Sequence, residues 1–395
     1  MLSMVKKDNN CPQKITAVIV RALPEILLLI VVWLYHLYKF AYKGGLVMKK
    51  RMIRLLSLIL VLMIGLGIAA CDKSKDSGEK PDESAPAGDK AAADYKIVLI
   101  LPGPINDQSW NATNYAGLVA CNEQLGTNIE YVENVKSSDY ESTFREYAER
   151  KYDLVMAAGT QFDEPAAAVA PNYPDTTFCV VNGSKADGNN VAPIFPKEYE
   201  ASYLASVIAG NVSENGNFAT IGGFPNEPME KLLSVYEKHA VEIATERGIA
   251  DAKATRAYAN SWDDVALGKQ MAAQMIDNGA DTLFVYANEV GLGSIEAAKE
   301  KGAKFIGFSS DQNSVAPETV VASVVFDFET FYVWAVDQYV KGTLSGNKVH
   351  EAGIKEGIFK PVYGPDISDE VKTAVETAID DYKAGKTDLS KYFDE

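Results

Sequence analysis

The sequence predicts an α/β protein of two doubly wound parallel-sheet lobes joined by hinge crossings. From Tyr95 onward, short β-rich runs alternate with helical stretches, a pattern typical of parallel sheets with helices on both faces. The runs Lys96–Leu101 and Thr282–Tyr286 are almost continuously apolar, as expected for strands that are buried on both faces. The polar, turn-rich segment Asn211–Asn217 separates two series of elements, and we interpret it as a hinge crossing. Val320–Val325 is expected to cross back.

Each series contains alternating strands and helices. In the first, the predicted strands are Lys96–Leu101, Asn128–Val132, Leu154–Ala157, Thr177–Val181 and Val191–Ile194, and the predicted helices are Ser109–Gly126, Asp139–Arg150 and Glu198–Gly210. In the second, the predicted strands are Phe218–Ile221, Ala252–Ala259, Thr282–Tyr286 and Lys304–Phe308, and the predicted helices are Pro228–Arg247, Val265–Asn278 and Ser294–Lys301. We therefore expect one lobe from residues 95–210 with about 326–343, and the other from residues 211–319 with about 344–395.

The formal net charge of −16 is distributed unevenly along the chain. Residues 1–70 contain ten Lys and Arg but only two acids, whereas 28 basic residues face 52 acidic ones from Cys71 onward. A surface this acidic repels phosphate backbones, so the composition argues against nucleic-acid binding. The acidity by itself is also compatible with a protein that only needs to stay soluble.

Residues 48–70 have the organisation of an export signal. Basic residues at 49–54 precede the apolar run Leu55–Leu66, and Ile68–Cys71 supplies small residues with a cysteine at the cleavage point. This arrangement resembles a bacterial lipobox, which implies that Cys71 is lipidated and becomes the first residue of the mature protein. A transmembrane helix with a chance cysteine is the weaker alternative, because the apolar run is short and a hydrophilic segment follows at once.

The segments on either side of this signal are expected to lie outside the fold. Residues 1–47 contain an apolar stretch that Arg21, Pro24 and Glu25 interrupt, and we interpret them as an extension from an upstream start codon, with an extra anchor as the alternative. Residues 71–94 lack large apolar side chains and are expected to form a flexible tether. The protein is thus expected on the extracytoplasmic side of the cell membrane, held there by its lipid.

The loops that follow the predicted strands carry the candidate site. Open parallel sheets bind ligands at the carboxyl ends of their strands. The loops there combine large aromatic side chains with amides and carboxylates, which favours a planar, polar, neutral or cationic small molecule. The alternative for each aromatic residue is that it fills the end of a lobe core. The candidate ligand-binding residues are Trp110, Trp262, Asn106, Asp107, Phe162, Phe224, Asn288 and Asp311.

Several stretches match the motifs of one known family, in content and in order. They are Ile105–Asn111, Tyr203–Gly210, Gln274–Asp281, Glu296–Gly302 and Phe305–Gln312. These stretches are similar to those of the basic membrane lipoprotein family, the purine-nucleoside-type substrate-binding proteins of ABC importers. The resemblance runs from about residue 96 to about residue 342.

The resemblance implies a type I periplasmic-binding-protein clamp, in which two α/β lobes close on a small-molecule ligand. In this family pattern Trp110 would stack on one face of a purine base or nucleoside, and Trp262 on the other face from the opposite lobe. Asn106 and Asp107 would shape the first loop or bond the edge of the base. The implied partners are an ABC permease and its ATPase, with no cofactor and a monomeric chain. A lipid-anchored sensor that is not coupled to transport is the alternative.

Two positions depart from the family pattern. The family often has an aspartate at the end of the first strand, where this chain has Leu101, and another after a later strand, where it has Ser309. Carboxylates of this kind commonly hold sugar hydroxyls through charge-assisted hydrogen bonds. Because both are missing, we expect a free nucleobase or a similar heterocycle to bind no worse than the matching nucleoside.

An enzymatic function is disfavoured. The histidines of the predicted lobes, His239 and His350, do not lie in strand-end loops, which argues against a hydrolytic triad. The turn Tyr286–Gly293 imitates a dinucleotide-binding loop, but Glu296 occupies the position where close packing of helix and strand requires a third glycine.

We predict that Cys71 carries the lipid. Mass spectrometry of protein purified from membranes should find a modified N-terminus at Cys71, and Cys71→Ser should abolish the modification because serine has no thiol to alkylate. Cys121→Ser is the matched control and should remain lipidated. An unmodified N-terminus at residue 1 or 48 in the membrane-derived protein would contradict the prediction.

Overall fold

The computed structural model describes residues 90–107, 110–186 and 188–393. The segments 1–47 and 48–70, the tether as far as residue 89, and the lipidation candidate Cys71 lie outside the described residues. Within these ranges, no helix has both the length and the apolar content that crossing a membrane requires.

The first sheet has six strands, all parallel, in the order β11-β5-β4-β3-β1-β2. Its central strands are buried along their whole length, which explains their continuous apolar sequence. Labelled in chain order, the strands of this sheet are β1 (Ile97–Ile100), β2 (Glu130–Val132), β3 (Leu154–Ala158), β4 (Thr177–Val181), β5 (Ile194–Pro196) and β11 (His350–Ala352).

The second sheet also has six strands, in the order β12-β10-β9-β8-β6-β7. Its strands are parallel except for the edge strand β12, which runs antiparallel to β10. They are β6 (Asn217–Gly222), β7 (Lys253–Tyr258), β8 (Thr282–Tyr286), β9 (Lys304–Ser309), β10 (Val320–Phe326) and β12 (Phe359–Tyr363). The two mostly parallel sheets confirm the predicted two-lobed α/β class.

Helices connect the strands and cover the sheets. They are α1 (Trp110–Leu125), α2 (Tyr140–Glu149), α3 (Asp163–Val169), α4 (Glu198–Val212), α5 (Glu227–Glu246), α6 (Val265–Asp277), α7 (Asn288–Lys301), α8 (Phe328–Val340) and α9 (Asp369–Lys383). Polar side chains fix several of the starts: Asn226, Asp264 and Asp327 each accept a hydrogen bond from the backbone N–H three residues on.

Helix α7 begins six residues before the predicted start at Ser294, and this corrects the interpretation of its glycines. A Cβ at Gly293 would lie 1.9 Å from the carbonyl oxygen of Val265, and one at Gly268 would lie 2.1 Å from that of Val290. These glycines therefore allow α6 and α7 to pack backbone against backbone. The apparent dinucleotide turn is the first part of this helix.

The chain first crosses between the lobes at Lys197, and the predicted crossing at Asn211–Asn217 is wrong. Helix α4 packs on α5 and against β9 and β10, so it belongs to the second lobe and not to the first. Asn217 itself begins β6 of the second sheet. The alternation of elements shows where a helix lies along the chain, but it does not show which sheet that helix covers.

The segment expected to cross back, Val320–Val325, is part of a strand of the second sheet; the chain crosses back only after this strand, and then crosses a third time. Val320–Phe326 is strand β10 of the second sheet, and the chain leaves it at Asp327 to form α8, which packs on α1. Strand β11 then pairs with β5 in the first sheet, so His350–Ala352 is not part of the second lobe as expected. Residues 353–358 return the chain to β12.

A buried carboxylate, Glu200, joins two of these crossings. Glu200 is 0% exposed and forms an ion pair with Lys197 of the first crossing. Its oxygens accept hydrogen bonds from the backbone N–H of Ile354 in the third crossing and from the hydroxyl of Tyr382 on α9, both at 2.6 Å. A Cβ at Gly353 would lie 2.1 Å from the carboxylate, so only glycine fits there.

We predict that Glu200→Gln lowers the free energy of unfolding by about 3 kcal/mol, because it leaves Lys197 without its counter-charge and turns an amide towards N–H and O–H donors. Urea denaturation followed by circular dichroism measures the loss. Glu376→Gln, an exposed position on α9, is the matched control and should change stability by less than about 0.5 kcal/mol. Equal stabilities of the two variants would contradict the role given to Glu200.

Candidate functional site

The carboxyl ends of the two sheets adjoin at the crossings. Strand β5 ends at Pro196, and α4 begins in the second lobe after the single residue Lys197. Strand β10 ends at Phe326, and α8 begins in the first lobe after Asp327. Both connections leave a sheet at its carboxyl end, so the strand-end loops of the two lobes border the same space. We call this space the cleft; it is where parallel sheets place their ligands.

Trp110 lies on the first-lobe side of the cleft, at the start of α1. Its indole Nε1–H donates a hydrogen bond to the carbonyl oxygen of Ala158 at the end of β3, at 3.1 Å. The ring of Phe328, the first residue of α8, packs edge-on against it, with centroids 5.6 Å apart at 89°. The side chain is partly buried, so these two contacts orient the ring before any ligand arrives.

Asp107 caps the helix that carries Trp110. One carboxylate oxygen accepts the backbone N–H of Asn111 at 2.9 Å and the other accepts that of Ala112 at 2.9 Å. The side-chain amide N–H of Asn111 donates to the same carboxylate at 2.7 Å. The amide oxygen of Asn111 accepts the backbone N–H of Gly103 at 3.1 Å. Asp107 thus shapes the first loop, whereas Asn106 is exposed.

Trp262 and Phe224 form an aromatic pair on the second-lobe side. Their centroids lie 5.6 Å apart with the rings tilted by 52°, and both remain well exposed, at 36% for Trp262 and 39% for Phe224. The indole lies over Gly223, where a Cβ would come within 2.4 Å of the ring. Exposed aromatic rings held by backbone contacts are able to stack on a flat ligand.

Phe162 is not in the cleft, so its predicted role as a ligand contact is wrong. It is 0% exposed and packs against Tyr140, at a centroid distance of 4.1 Å, and Phe144, at 5.9 Å. A short turn at Thr160–Phe162 directs the ring into the layer beneath β3 and β4. For this aromatic residue, filling the lobe core is the correct interpretation.

The remaining predicted residues lie at strand ends of the second lobe. Asn288 begins α7 and Asp311 follows β9; both are exposed. One Asp311 oxygen accepts the backbone N–H of Asn313 at 3.0 Å. Ser309 is exposed with a φ of 71°, whereas Leu101 in the first lobe is 0% exposed, so the two departures from the family pattern differ in their surroundings.

Two features of the cleft, Phe328 and Glu198, were not predicted from the sequence. Phe328 starts a helix immediately after a crossing, and an aromatic residue one position beyond an apolar strand was the available signal. Glu198 starts α4 in the same way, and its carboxylate accepts a hydrogen bond from the hydroxyl of Tyr286, the last residue of β8. Neither is recognisable as a cleft residue until the positions of the crossings are known.

Comparisons with known proteins agree with this architecture. The chain is 24% identical over 290 residues to the transcriptional activator protein Med of Bacillus subtilis, covering 71% of this chain and 88% of the relative. It is 24% identical over 367 residues to the ABC transporter nucleoside-binding protein BmpA of Lactococcus lactis, covering 86% and 98%. It is 25% identical over 294 residues to a purine-binding protein of Brucella abortus, covering 74% and 81%.

Among solved structures, a transcriptional activator of the comK gene from Bacillus halodurans superimposes with a TM-score of 0.63 at 20% identity, covering 74% of this chain and 99% of that one. This likeness supports the two-lobed fold. The model of the family described as Bmp, ABC transporter substrate-binding protein PnrA-like, matches residues 95–391, which include both sheets and all three crossings. The chain therefore belongs to this family of non-catalytic ABC transporter substrate-binding proteins.

Proposed function

We propose that this protein binds a purine base or nucleoside in the cleft and delivers it to an ABC permease with its ATPase. It does so from the extracytoplasmic face of the membrane, anchored through a lipid on Cys71. The observation that carries the proposal is the presence of an oriented aromatic ring at the strand ends of each lobe. Trp110 is held by Ala158 and Phe328 in the first lobe, and Trp262 lies over Gly223 in the second.

Two of the similar proteins support the chemical class. One is described as nucleoside-binding and the other as purine-binding, and both match along most of their length. Purines present two flat faces and an edge of N–H donors and ring-nitrogen acceptors. Two tryptophans and a few polar groups in a cleft are the complement of such a molecule.

A free base is expected to bind no worse than the nucleoside. The side chain at the end of β1 is the apolar, fully buried Leu101, and the residue at the end of β9 is Ser309. Neither supplies the carboxylate that would hold a sugar hydroxyl by a charge-assisted bond. The affinity is therefore expected to come from the heterocycle.

Isothermal titration of the full-length protein in detergent tests this proposal. Adenine, guanine, hypoxanthine and the matching nucleosides are titrated, and one ligand per chain is expected. Trp110→Ala and Trp262→Ala should each weaken binding by roughly one to two decades, because a stacked base face is worth about 1–3 kcal/mol. Trp110→Phe should retain most of the affinity.

Trp334→Phe is the matched control, since this tryptophan stacks on Phe331 within α8 and should not change the affinity. Absence of heat with every purine would refute the ligand class. A nucleoside that binds at least tenfold more tightly than its base would refute the interpretation of Leu101 and Ser309. If both alanine variants lowered the melting temperature but kept the affinity of the folded fraction, the tryptophans would be core residues.

A sensor that is not coupled to transport is the second candidate, favoured by the similarity to a protein described as a transcriptional activator. Uptake of labelled purine by cells with and without the gene separates the two. An importer component should be required for uptake at low purine concentration, whereas loss of a sensor should leave the uptake of purine unchanged.

A further inference from the structure

Glu198 places a carboxyl group at the carboxyl end of the second sheet. It is the first residue of α4, one position after the first crossing, and is partly buried. One oxygen accepts a hydrogen bond from the hydroxyl of Tyr286, which ends β8 and packs its ring on Phe308 with centroids 4.7 Å apart. Because Tyr286 is the strand-end residue, the carboxyl that it holds lies at the edge of the cleft.

The other acids at the strand ends are engaged differently. Asp107 caps α1 with both oxygens. One oxygen of Asp163 accepts the backbone N–H of Ser184 at 2.9 Å, and its other oxygen, which has no hydrogen-bond partner among the described residues, is buried within the first lobe. Asp311 is exposed to solvent and bonded within its own loop. For Glu198, the hydroxyl of Tyr286 is the one hydrogen-bond partner among the described residues, so its second carboxylate oxygen has no partner among them.

No cation balances this carboxyl within the part of the chain that the structure describes. Its chain neighbour Lys197 pairs with Glu200, to which Tyr382 of α9 also donates, and Lys231 of α5 lies over the ring of Tyr199. The titratable group of the second sheet that faces the Glu198 carboxyl is the hydroxyl of Tyr286. Burial accordingly raises the pKa of Glu198 from 4.5 to about 7, with a smaller opposing effect of the Tyr286 hydrogen bond.

This arrangement destabilises the folded protein at neutral pH. The unfolded chain ionises Glu198 above its ordinary pKa of 4.5, whereas the folded protein does so only near 7, so stability falls as pH rises between these values. A carboxylate that weakens the fold and lies in a cleft is characteristic of a binding site, where polar groups are prepared for a partner that arrives later.

We propose that Glu198, positioned by Tyr286, accepts hydrogen bonds from the N–H donors of the heterocyclic ligand. The proposal rests on the function proposed above and adds Glu198 to the candidate ligand-binding residues, which already include Asp311. A ring or exocyclic N–H donates to the ionised carboxylate, beside the packed rings of Tyr286 and Phe308. No covalent step is involved.

The proposal predicts that ligand binding releases a proton and does not take one up. If the ligand binds the ionised form, the pKa of Glu198 falls on binding, and a proton is released between pH 6 and 7. At pH 5.5 about 3% of the free protein carries the ionised group, given a pKa of about 7. If the neutral side chain binds about tenfold more weakly than the carboxylate, the affinity at pH 5.5 should be about sevenfold weaker than at pH 8.

The experiment is isothermal titration of full-length protein with hypoxanthine and adenine from pH 5.5 to 8, in buffers of different ionisation enthalpy. Glu198→Gln keeps the shape and the acceptor oxygen for Tyr286 but cannot ionise. It should bind about tenfold more weakly than the wild type at pH 8, release no proton, and show no dependence on pH in this range. Its melting temperature at pH 8 should equal or exceed that of the wild type.

Two further variants distinguish a loss of the contact that positions Glu198 from an unspecific effect of substitution on the protein. Tyr286→Phe removes the hydrogen bond that favours the ionised form, so the midpoint of the affinity profile should move to higher pH. Glu376→Gln, exposed on α9, should match the wild type in affinity and proton release. Loss of binding by Glu198→Gln together with a lowered melting temperature would indicate a structural role and overturn the proposal.

The outcomes distinguish this inference from the proposed function. A wild-type protein that binds neither purine contradicts the function itself. Purine binding that Glu198→Gln leaves unchanged in affinity, pH profile and proton release overturns the role of Glu198 and leaves the function standing. Proton uptake on binding would show that the protonated acid donates to the ligand, which also overturns the assignment.

Discussion

The buried carboxylate of Glu200 is the contact on which the arrangement of the two lobes depends. It pairs with Lys197 in the first crossing and accepts hydrogen bonds from Ile354 in the third crossing and Tyr382 of the last helix. A charge this deep is stable only when every oxygen is bonded, so these separate parts of the chain must come together for any of them to be satisfied. The relative placement of the strand ends, and hence the cleft, follows from that requirement.

The cleft contains groups whose exposure or missing counter-charge does not favour folding. Aromatic rings that a core would have buried remain exposed, as Trp262 and Phe224 do, and the carboxyl of Glu198 lies without a counter-charge among the described residues. On the first-lobe side, hydrogen bonds hold the first loop and the indole of Trp110, because Asp107 caps α1 and the indole is bonded to Ala158. A binding protein gains affinity when its contacts are oriented before the ligand arrives, since less conformational entropy is then lost on binding.

Glycines near the second-lobe strand ends serve packing and not phosphate binding. Gly268 and Gly293 bring the backbones of α6 and α7 together, and Gly223 makes room for the indole of Trp262. From the sequence, the run that contains Gly293 resembles a nucleotide-binding turn, because a glycine that permits close helix contact is indistinguishable from one that admits a phosphate. The role of such a glycine depends on the group that contacts it, and that group lies far away in the chain.

The sequence by itself determined the fold class, the family and most element boundaries as far as Ser309, because burial on both faces of a parallel strand leaves a local apolar pattern, as in Ile97–Ile100. The tertiary structure decided what depends on contacts between distant residues: α4 covers the second sheet, His350–Ala352 joins the first, and Phe162 points into a core. It also brought Glu198 to Tyr286, 88 positions away. Local periodicity records whether a residue is buried, but the identity of its neighbours is set only when the chain closes on itself.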